Sequence, residues 1–405
     1  MPTFAEARDL VLNSATPLGV EVVGLLDACG RVLATDQISN WDLPMWDNSA
    51  MDGFAVRAQE CREGSVLPVV GFLPAGRAAT QALEAGSAAR ILTGAPIPPG
   101  SDCVVPFELT QEHHDSIRLL TQPRAGDHIR RKGSDLRVGD RVLAAGTLIR
   151  PSEIAIFASL AIAGVPVTRR PQVAILSTGD ELLRPGDPLE PGRIFDSNGP
   201  ALAAAVLEAG GTPIILPIAR DDPAALRQQL QQGLRADVLV TSAGVSTGDR
   251  DLVRATLAEL GAQEVFWKVA IQPGRPMAFA VTEECRIISL PGNPVAALLT
   301  FELFVRPALR RMGGHRRPIE ATIRATLGES VRPRSDRMTL RRVCLEQIGD
   351  QLVATSSGQQ ATGYVQTLVR ADGIALIPVG IDPLPVGTVV EVHPLRKSGD
   401  FSGGN

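Results

Sequence analysis

The stretch Pro171-Gln-Val-Ala-Ile-Leu-Ser-Thr-Gly-Asp-Glu-Leu182 decides the fold. A short apolar run, Val173 to Leu176, breaks into a loop of small residues, and the same rhythm then continues downstream. The pattern predicts helix Pro200 to Ala209, strand Pro213 to Ile218, helix Pro223 to Gly233, strand Val238 to Thr241 and helix Asp251 to Leu260. Strands Val265 to Val269, Met277 to Val281 and Ile287 to Leu290 follow, with a closing helix Pro294 to Met312. Strands alternating with helices imply βαβ crossovers and a mainly parallel sheet. Ligands of such a sheet bind beyond the carboxyl ends of its strands, so the residues after each strand carry the most weight.

Those residues are informative. The Ser177, Thr178 and Gly179 turn is small enough for backbone amides to approach an anion, and Glu181 behind it is available to a cation. Thr241-Ser-Ala-Gly-Val-Ser-Thr-Gly-Asp-Arg-Asp251, with Ser246 at its centre, runs into a helix start, which is a natural seat for phosphate. Asp249 and Asp251 there suggest that Mg²⁺ accompanies the phosphate, since magnesium favours one or two carboxylates plus substrate oxygens. Taken singly, either loop reads equally well as an ordinary turn with Asp caps. Two of them on one sheet edge favour a ligand. Neither a G-x-x-x-x-G-K-[ST] loop nor a G-x-G-x-x-G fingerprint occurs, which argues against the common triphosphatase and dinucleotide readings. Lys268-Val-Ala-Ile-Gln-Pro-Gly-Arg-Pro276 sets two cations, Lys268 and Arg275, around a Pro-Gly turn. In Leu290-Pro-Gly-Asn-Pro-Val295, Asn293 precedes Pro294 at a helix start, either as a ligand contact or as a rigid turn.

The rest of the chain is organised differently. With 405 residues, 44% of them apolar, it is too long for one core, and about three or four domains are expected. The boundaries read as a discontinuous outer α+β domain at 1–45 and 141–170 and a β-rich domain at 46–140. The α/β domain follows at 171–318, and a small C-terminal β-barrel at 319–397. In the outer domain, a buried helix Ser152 to Ala163 is expected to pack against a helical N-terminus bearing Phe4, Ala7 and Val11 on one face. A net charge of −4 argues against nucleic acid and anionic membranes as partners, so an anionic ligand must be met by local charge. The five cysteines are odd in number and form no C-x-x-C pair, consistent with reduced thiols in a cytoplasmic protein. The N-terminus lacks signal-peptide character, and the longest apolar stretch, Ile154 to Val167, is interrupted and too short to span a membrane.

Ser-Thr-Gly-Asp-Glu-Leu at 177–182, Val-Ser-Thr-Gly-Asp at 245–249, the Lys268 to Pro276 block and Leu-Pro-Gly-Asn-Pro at 290–294 have the order and spacing of the molybdopterin molybdenumtransferase family. Upstream, Asp47-Asn-Ser-Ala-Met-Asp-Gly-Phe-Ala55, Leu92-Thr-Gly-Ala-Pro-Ile-Pro98 and Ile129-Arg-Arg-Lys-Gly-Ser-Asp135 match further signatures, so the chain resembles that family over nearly its whole length. The resemblance implies a four-domain homodimer whose site is shared between subunits, and a Mg²⁺-dependent reaction of adenylylated molybdopterin with molybdate that releases molybdenum cofactor and AMP. It also allows contact with a molybdopterin adenylyltransferase. Carried over position by position, it implies roles for Asp52, Thr93 and Asp135 in the β-rich domain and for Glu181, Asp221, Asp251 and Lys268 in the α/β domain. Pro291 and Pro294 would shape the pocket, and Arg342 and Thr362 would line the oxyanion site. Gln272 and Arg275 stand where many relatives have lysines, and Ala243 replaces a frequent glycine. Two rival readings stay open: a single-domain molybdopterin adenylyltransferase, and a gephyrin-like scaffold.

Overall fold

A computed structural model of the protein describes residues 1–220, 222–243 and 252–396. The chain divides into two compact units, one of Met1–Ala34, Gly146–Ile154 and Gly164–Asn405, the other of Thr35–Ala145 and Ala155–Ala163.

In the first unit, helix α1 (Phe4–Ser14) is followed far downstream by the α/β layers: β1 (Gln172–Ser177), α2 (Asn198–Glu208), β2 (Thr212–Ile215), α3 (Pro223–Gly233), β3 (Val238–Ser242) and α4 (Leu252–Glu259). Strands β4 (Gln263–Trp267), β5 (Ala278–Val281) and β6 (Arg286–Leu290) complete a sheet of order β2-β1-β3-β6-β5-β4. The first four are parallel, as the rhythm predicts, while β5 and β4 add an antiparallel edge. Alternation along each strand feeds two cores. Val173, Ile175, Val238, Val240 and Ile288 face one, and Ala174, Leu176, Leu239 and Ile287 the other, which is why these runs are continuously apolar.

The expected helix Pro294 to Met312 forms, but not as one α-helix. It runs as α5 (Pro294–Thr300), a π turn at Phe301–Val305, and α6 (Arg306–Met312). Pro307 is the physical reason: it has no N–H to give the preceding turn, and one wide turn absorbs the mismatch. The expected partner of the N-terminal helix also differs. Phe4, Ala7 and Val11 join the core on the α6 side of the sheet, with the Phe4 and Phe304 rings edge-to-face at 5.5 Å. A capping box between Thr3 and Glu6 starts this helix. The 152–163 segment is helical only over Pro151–Ser159, because Val165 and Val167 are claimed by the strand Gly164–Thr168, which pairs with Val20–Gly24.

Beyond the helices, β7 (Ile323–Leu327), β8 (Met338–Ile348), β9 (Gln351–Ser356), β10 (Gly373–Ile377) and β11 (Val389–Pro394) form a five-stranded barrel of order β8-β9-β7-β11-β10, closed by pairing of β8 with β10. The short strand Ile271–Gln272 adds to it by pairing with Met338–Thr339. The second unit is β-rich, with a six-stranded sheet of order 103–106, 53–56, 88–91, 66–73, 116–119 and 110–113.

Candidate functional site

Register aligns the strand ends. Ser177 pairs with Ser242 and Ser242 with Leu290, so β1, β3 and β6 end in one row. Two antiparallel steps later β4 points the same way again, which brings Trp267 and the 268–277 segment to that edge beside Ala278. The 177–182, 268–276 and 290–294 motifs therefore converge on the carboxyl edge of one sheet. Asp221, Ser246, Asp249 and Asp251 lie outside the described residues.

Asn198, at the start of α2, ties this edge together. Its Nδ2 donates to Ser242 Oγ at 2.6 Å and to the Gly292 carbonyl at 2.8 Å, linking the end of β3 to the turn after β6. Asp196 accepts from the Gly199 amide at 3.0 Å. Ser177, Asp196, Asn198 and Ser242 are all buried, yet Ser177 Oγ and Asn198 Oδ1 have no hydrogen-bond partner among the described residues. Buried oxygens left in this state are uncommon in a finished fold and suit a ligand. Sequence reading missed Asn198, Asp196 and Ser242. Asp196-Ser-Asn-Gly199 was the available signal, though it reads as an ordinary helix entrance.

Local geometry explains the small residues. Gly179 has φ +142°, and an added Cβ there would collide with the Glu181 carboxylate, which folds back over it. Ala243 adopts φ +78°, the left-handed region that favours glycine, and its Cβ lies 3.0 Å from where a Cβ on Gly292 would sit. Asn293 caps α5, accepting from the Val295 amide at 3.2 Å with Pro294 in the first turn; its oxygen thus serves the turn. Pro291 is buried and Pro294 half-buried in the same turn.

In the 268–276 block, Lys268 has φ +70° and donates its amide to Met277 at 2.9 Å. Gln272 pairs with Thr339 of β8, Pro276 is half-buried, and Arg275 is exposed near enough to Asp336 to help hold that carboxyl low, after the larger effect of Arg337. Alternation along β8 separates Arg341, which pairs with Glu329 at 2.7 Å, from Arg342, which is fully buried. Arg342 Nη2 donates to the carbonyls of Gln359 at 2.8 Å and Ala361 at 3.3 Å, beside half-buried Thr362. Its Nε and Nη1 are buried without an acceptor among the described residues, and burial, with Arg341 nearby, lowers its pKa.

The second unit gathers its own motifs. Asn48 and Ser49 pair with Arg130 and Ile129, and Ser49 exchanges backbone hydrogen bonds with Gly94 and Ala95 at 2.8 and 3.0 Å. Asp52 Oδ1 accepts from both the amide and the hydroxyl of Thr93 at 2.7 Å; these bonds, the amide first, hold its carboxyl below the usual range. Asp135 is exposed, its amide bonded to the Leu43 carbonyl at 2.9 Å. Asp47, which sequence reading left as a motif member only, accepts from the Lys132 amide and pairs with Arg131, each at 2.7 Å.

Among the described residues no three His, Cys, Asp or Glu side chains converge as a metal site. Burial pushes the Cys103 and Cys285 thiols up to about 12, which disfavours either as a nucleophile.

A mainly parallel α/β domain followed by a small closed barrel places the chain in a multidomain α/β plus β class. The comparisons agree with that class: residues 174–311 match the "Probable molybdopterin binding domain" model, residues 2–161 the "MoeA N-terminal region (domain I and II)" and residues 324–395 the "MoeA C-terminal region (domain IV)". The chain belongs to the molybdopterin molybdenumtransferase (MoeA) family. The Nostoc enzyme of that name is 37% identical, with 94% of this chain and 91% of the relative covered. A Mycobacterium tuberculosis relative, molybdopterin molybdenumtransferase 2, is 38% identical over 92% of this chain and 94% of its own. Among solved structures, a molybdopterin biosynthesis MoeA protein from Pyrococcus horikoshii superposes with a TM-score of 0.84 at 32% identity, covering 98% of this chain and 99% of its own. Matches that extend on both sides of the α/β domain set aside the single-domain adenylyltransferase reading.

Proposed function

We propose that this chain performs the closing step of molybdenum cofactor assembly, inserting molybdate into adenylylated molybdopterin and releasing AMP. One observation supports the reading above the others: a fully buried arginine, Arg342, keeps two donor nitrogens without an acceptor among the described residues, on the strand that pairs with the 271–272 segment behind Lys268. A guanidinium in that state suits an oxyanion. The substrate pyrophosphate and the molybdate dianion repel each other, and Lys268, Arg275 and Arg342 are the cations that offset the repulsion. Gln272 in place of a lysine leaves that work to one ammonium and two guanidinium groups. Ser177, Thr178, Gly179, Ser246 and Asn293 line the nucleotide side, with Asp221, Pro276, Pro291 and Pro294 shaping the pocket and Thr362 beside Arg342.

Glu181, Asp249 and Asp251 are oxygen donors, a set whose chemistry fits Mg²⁺, and that ion when bound polarises a phosphoryl oxygen. Glu181 supports this assignment, since its exposed carboxylate is held over Gly179 at the sheet edge. The chain further acts as a cytoplasmic homodimer of four-domain subunits in which Asp52, Thr93 and Asp135 serve the partner's site, and it receives its substrate from a molybdopterin adenylyltransferase. Among the described residues no helix is long and apolar enough to cross a membrane.

The test is AMP release from adenylylated molybdopterin with Mg²⁺, with and without molybdate. Release that ignores molybdate overturns the reading. Asp251→Asn is expected to slow release about ten- to a hundredfold with the fold intact, the scale of one lost charge-assisted contact. Mixing inactive Asp52 and Asp251 variants should restore part of the activity in verified heterodimers; none recovered would remove the shared site.

A further inference from the structure

Along a strand, neighbouring side chains leave on opposite faces, so Trp267 and Lys268 are expected to point apart. They do not. The left-handed backbone at Lys268, φ +70°, folds the side chain back, and its ammonium lies 3.7 Å from the centroid of the Trp267 ring. The conformation is pinned by the Lys268 amide bond to Met277 at 2.9 Å and the Val269 amide bond to Arg275 at 3.1 Å. Arg254 also meets this indole, its guanidinium carbon 4.1 Å from the centroid.

The two cations are held differently. Arg254 is anchored by Glu264, with nitrogen to oxygen distances of 2.8 and 2.6 Å. Lys268 has no ion pair among the described residues, and the ring face is what holds its ammonium. We propose that Trp267 is the resting seat of the Lys268 ammonium and yields it to an oxyanion arriving at the strand-end loops. Trp267 is then a positioning residue: it keeps a mobile charge at the site edge, and it opposes departure only weakly, because a cation over an accessible ring is bound less firmly than an ammonium on a dianion. Arg254 remains behind, so the indole keeps one cation when the other leaves. The inference rests on the proposed function in taking Lys268 as a substrate-facing group.

Only three tryptophans occur, and Trp41 and Trp46 are exposed in the second unit. Replacing both by Phe leaves Trp267 as the sole indole. A protonated amine in contact with indole quenches its emission, so molybdate added to this protein should brighten it saturably. The Lys268→Met variant should start bright and stay unchanged, with circular dichroism checking its fold and Lys268→Gln as a second variant. Emission that ignores molybdate at concentrations supporting AMP release overturns the seat and leaves the proposed function standing. A response that persists in both Lys268 variants overturns it too. Lys268-dependent brightening without any AMP release keeps the seat and removes the proposed function.

Discussion

Two arginines of the first unit are shielded from solvent, Arg342 fully and Arg306 in part, and they are treated in opposite ways. Arg306 opens α6 among carboxylates, paired with Glu208 at 2.7 Å and bonded to Glu302 at 2.8 Å. Burial works against its charge, but Glu302 and then Glu208 outweigh that and hold its pKa above the ordinary value. Among the described residues the side chain of Arg342, on the barrel strand β8, bonds only to backbone carbonyls, and burial lowers its pKa. On the proposed function, the contrast separates a structural cation from one available to a ligand. The first is neutralised by carboxylates of the chain, whereas the second keeps donors that no described residue accepts.

The comparison can be broken most forcefully at Arg306. Arg306→Met would leave the half-buried Glu302 unpaired, with an expected loss of about 1–3 kcal/mol in chemical denaturation. Unchanged stability would show that the pair is ornamental. Arg342→Met should act the other way round, with AMP release falling about ten- to a hundredfold and the melting temperature held or raised. A variant that unfolds while the surviving fraction keeps full activity would make Arg342 structural as well.

His393 sharpens the same contrast through pH. It is buried, and burial first, then Arg306, Arg8 and Arg310, lowers its pKa to about 4. The folded protein therefore binds this proton less readily than the unfolded chain, whose histidine titrates near 6.5. Stability from this group is whole above pH about 6.5 and is lost as pH falls towards about 4, a decline of roughly 1–3 kcal/mol. Denaturation midpoints across that window should fall less steeply in His393→Gln; an identical slope would remove His393 as the cause. The smallest effect is expected at Ala243. Replacing it with glycine relieves φ +78° and should raise stability by about 0.5–1 kcal/mol, read as a small upward shift in melting temperature.

The α/β rhythm was legible because each buried strand advertises itself locally: Val238-Leu-Val-Thr-Ser242 is apolar on both faces and ends in a turn. Lys268 stands in one of the sequence motifs, whereas Arg342 lies in none of them and was reached only through the family resemblance. What was not legible depends on partners remote in sequence. Asn198 reads as a helix entrance until Ser242 and Gly292 are brought to its amide. Trp267 and Lys268 read as alternating neighbours until a single left-handed residue turns one onto the other. The π turn is an intermediate case: Pro307 signals trouble in the helix, but not how the backbone will absorb it.

The docking of α1 bears on how the chain is made. Phe4 meets Phe304, roughly 300 residues later, and the Pro2 carbonyl accepts from Ala270. During synthesis this amphipathic helix emerges early and finds its cover only when the 294–312 segment has left the ribosome. Until then its apolar stripe is the kind of surface that chaperones hold and aggregation exploits. A helix made roughly 300 residues before its cover is thus buried late.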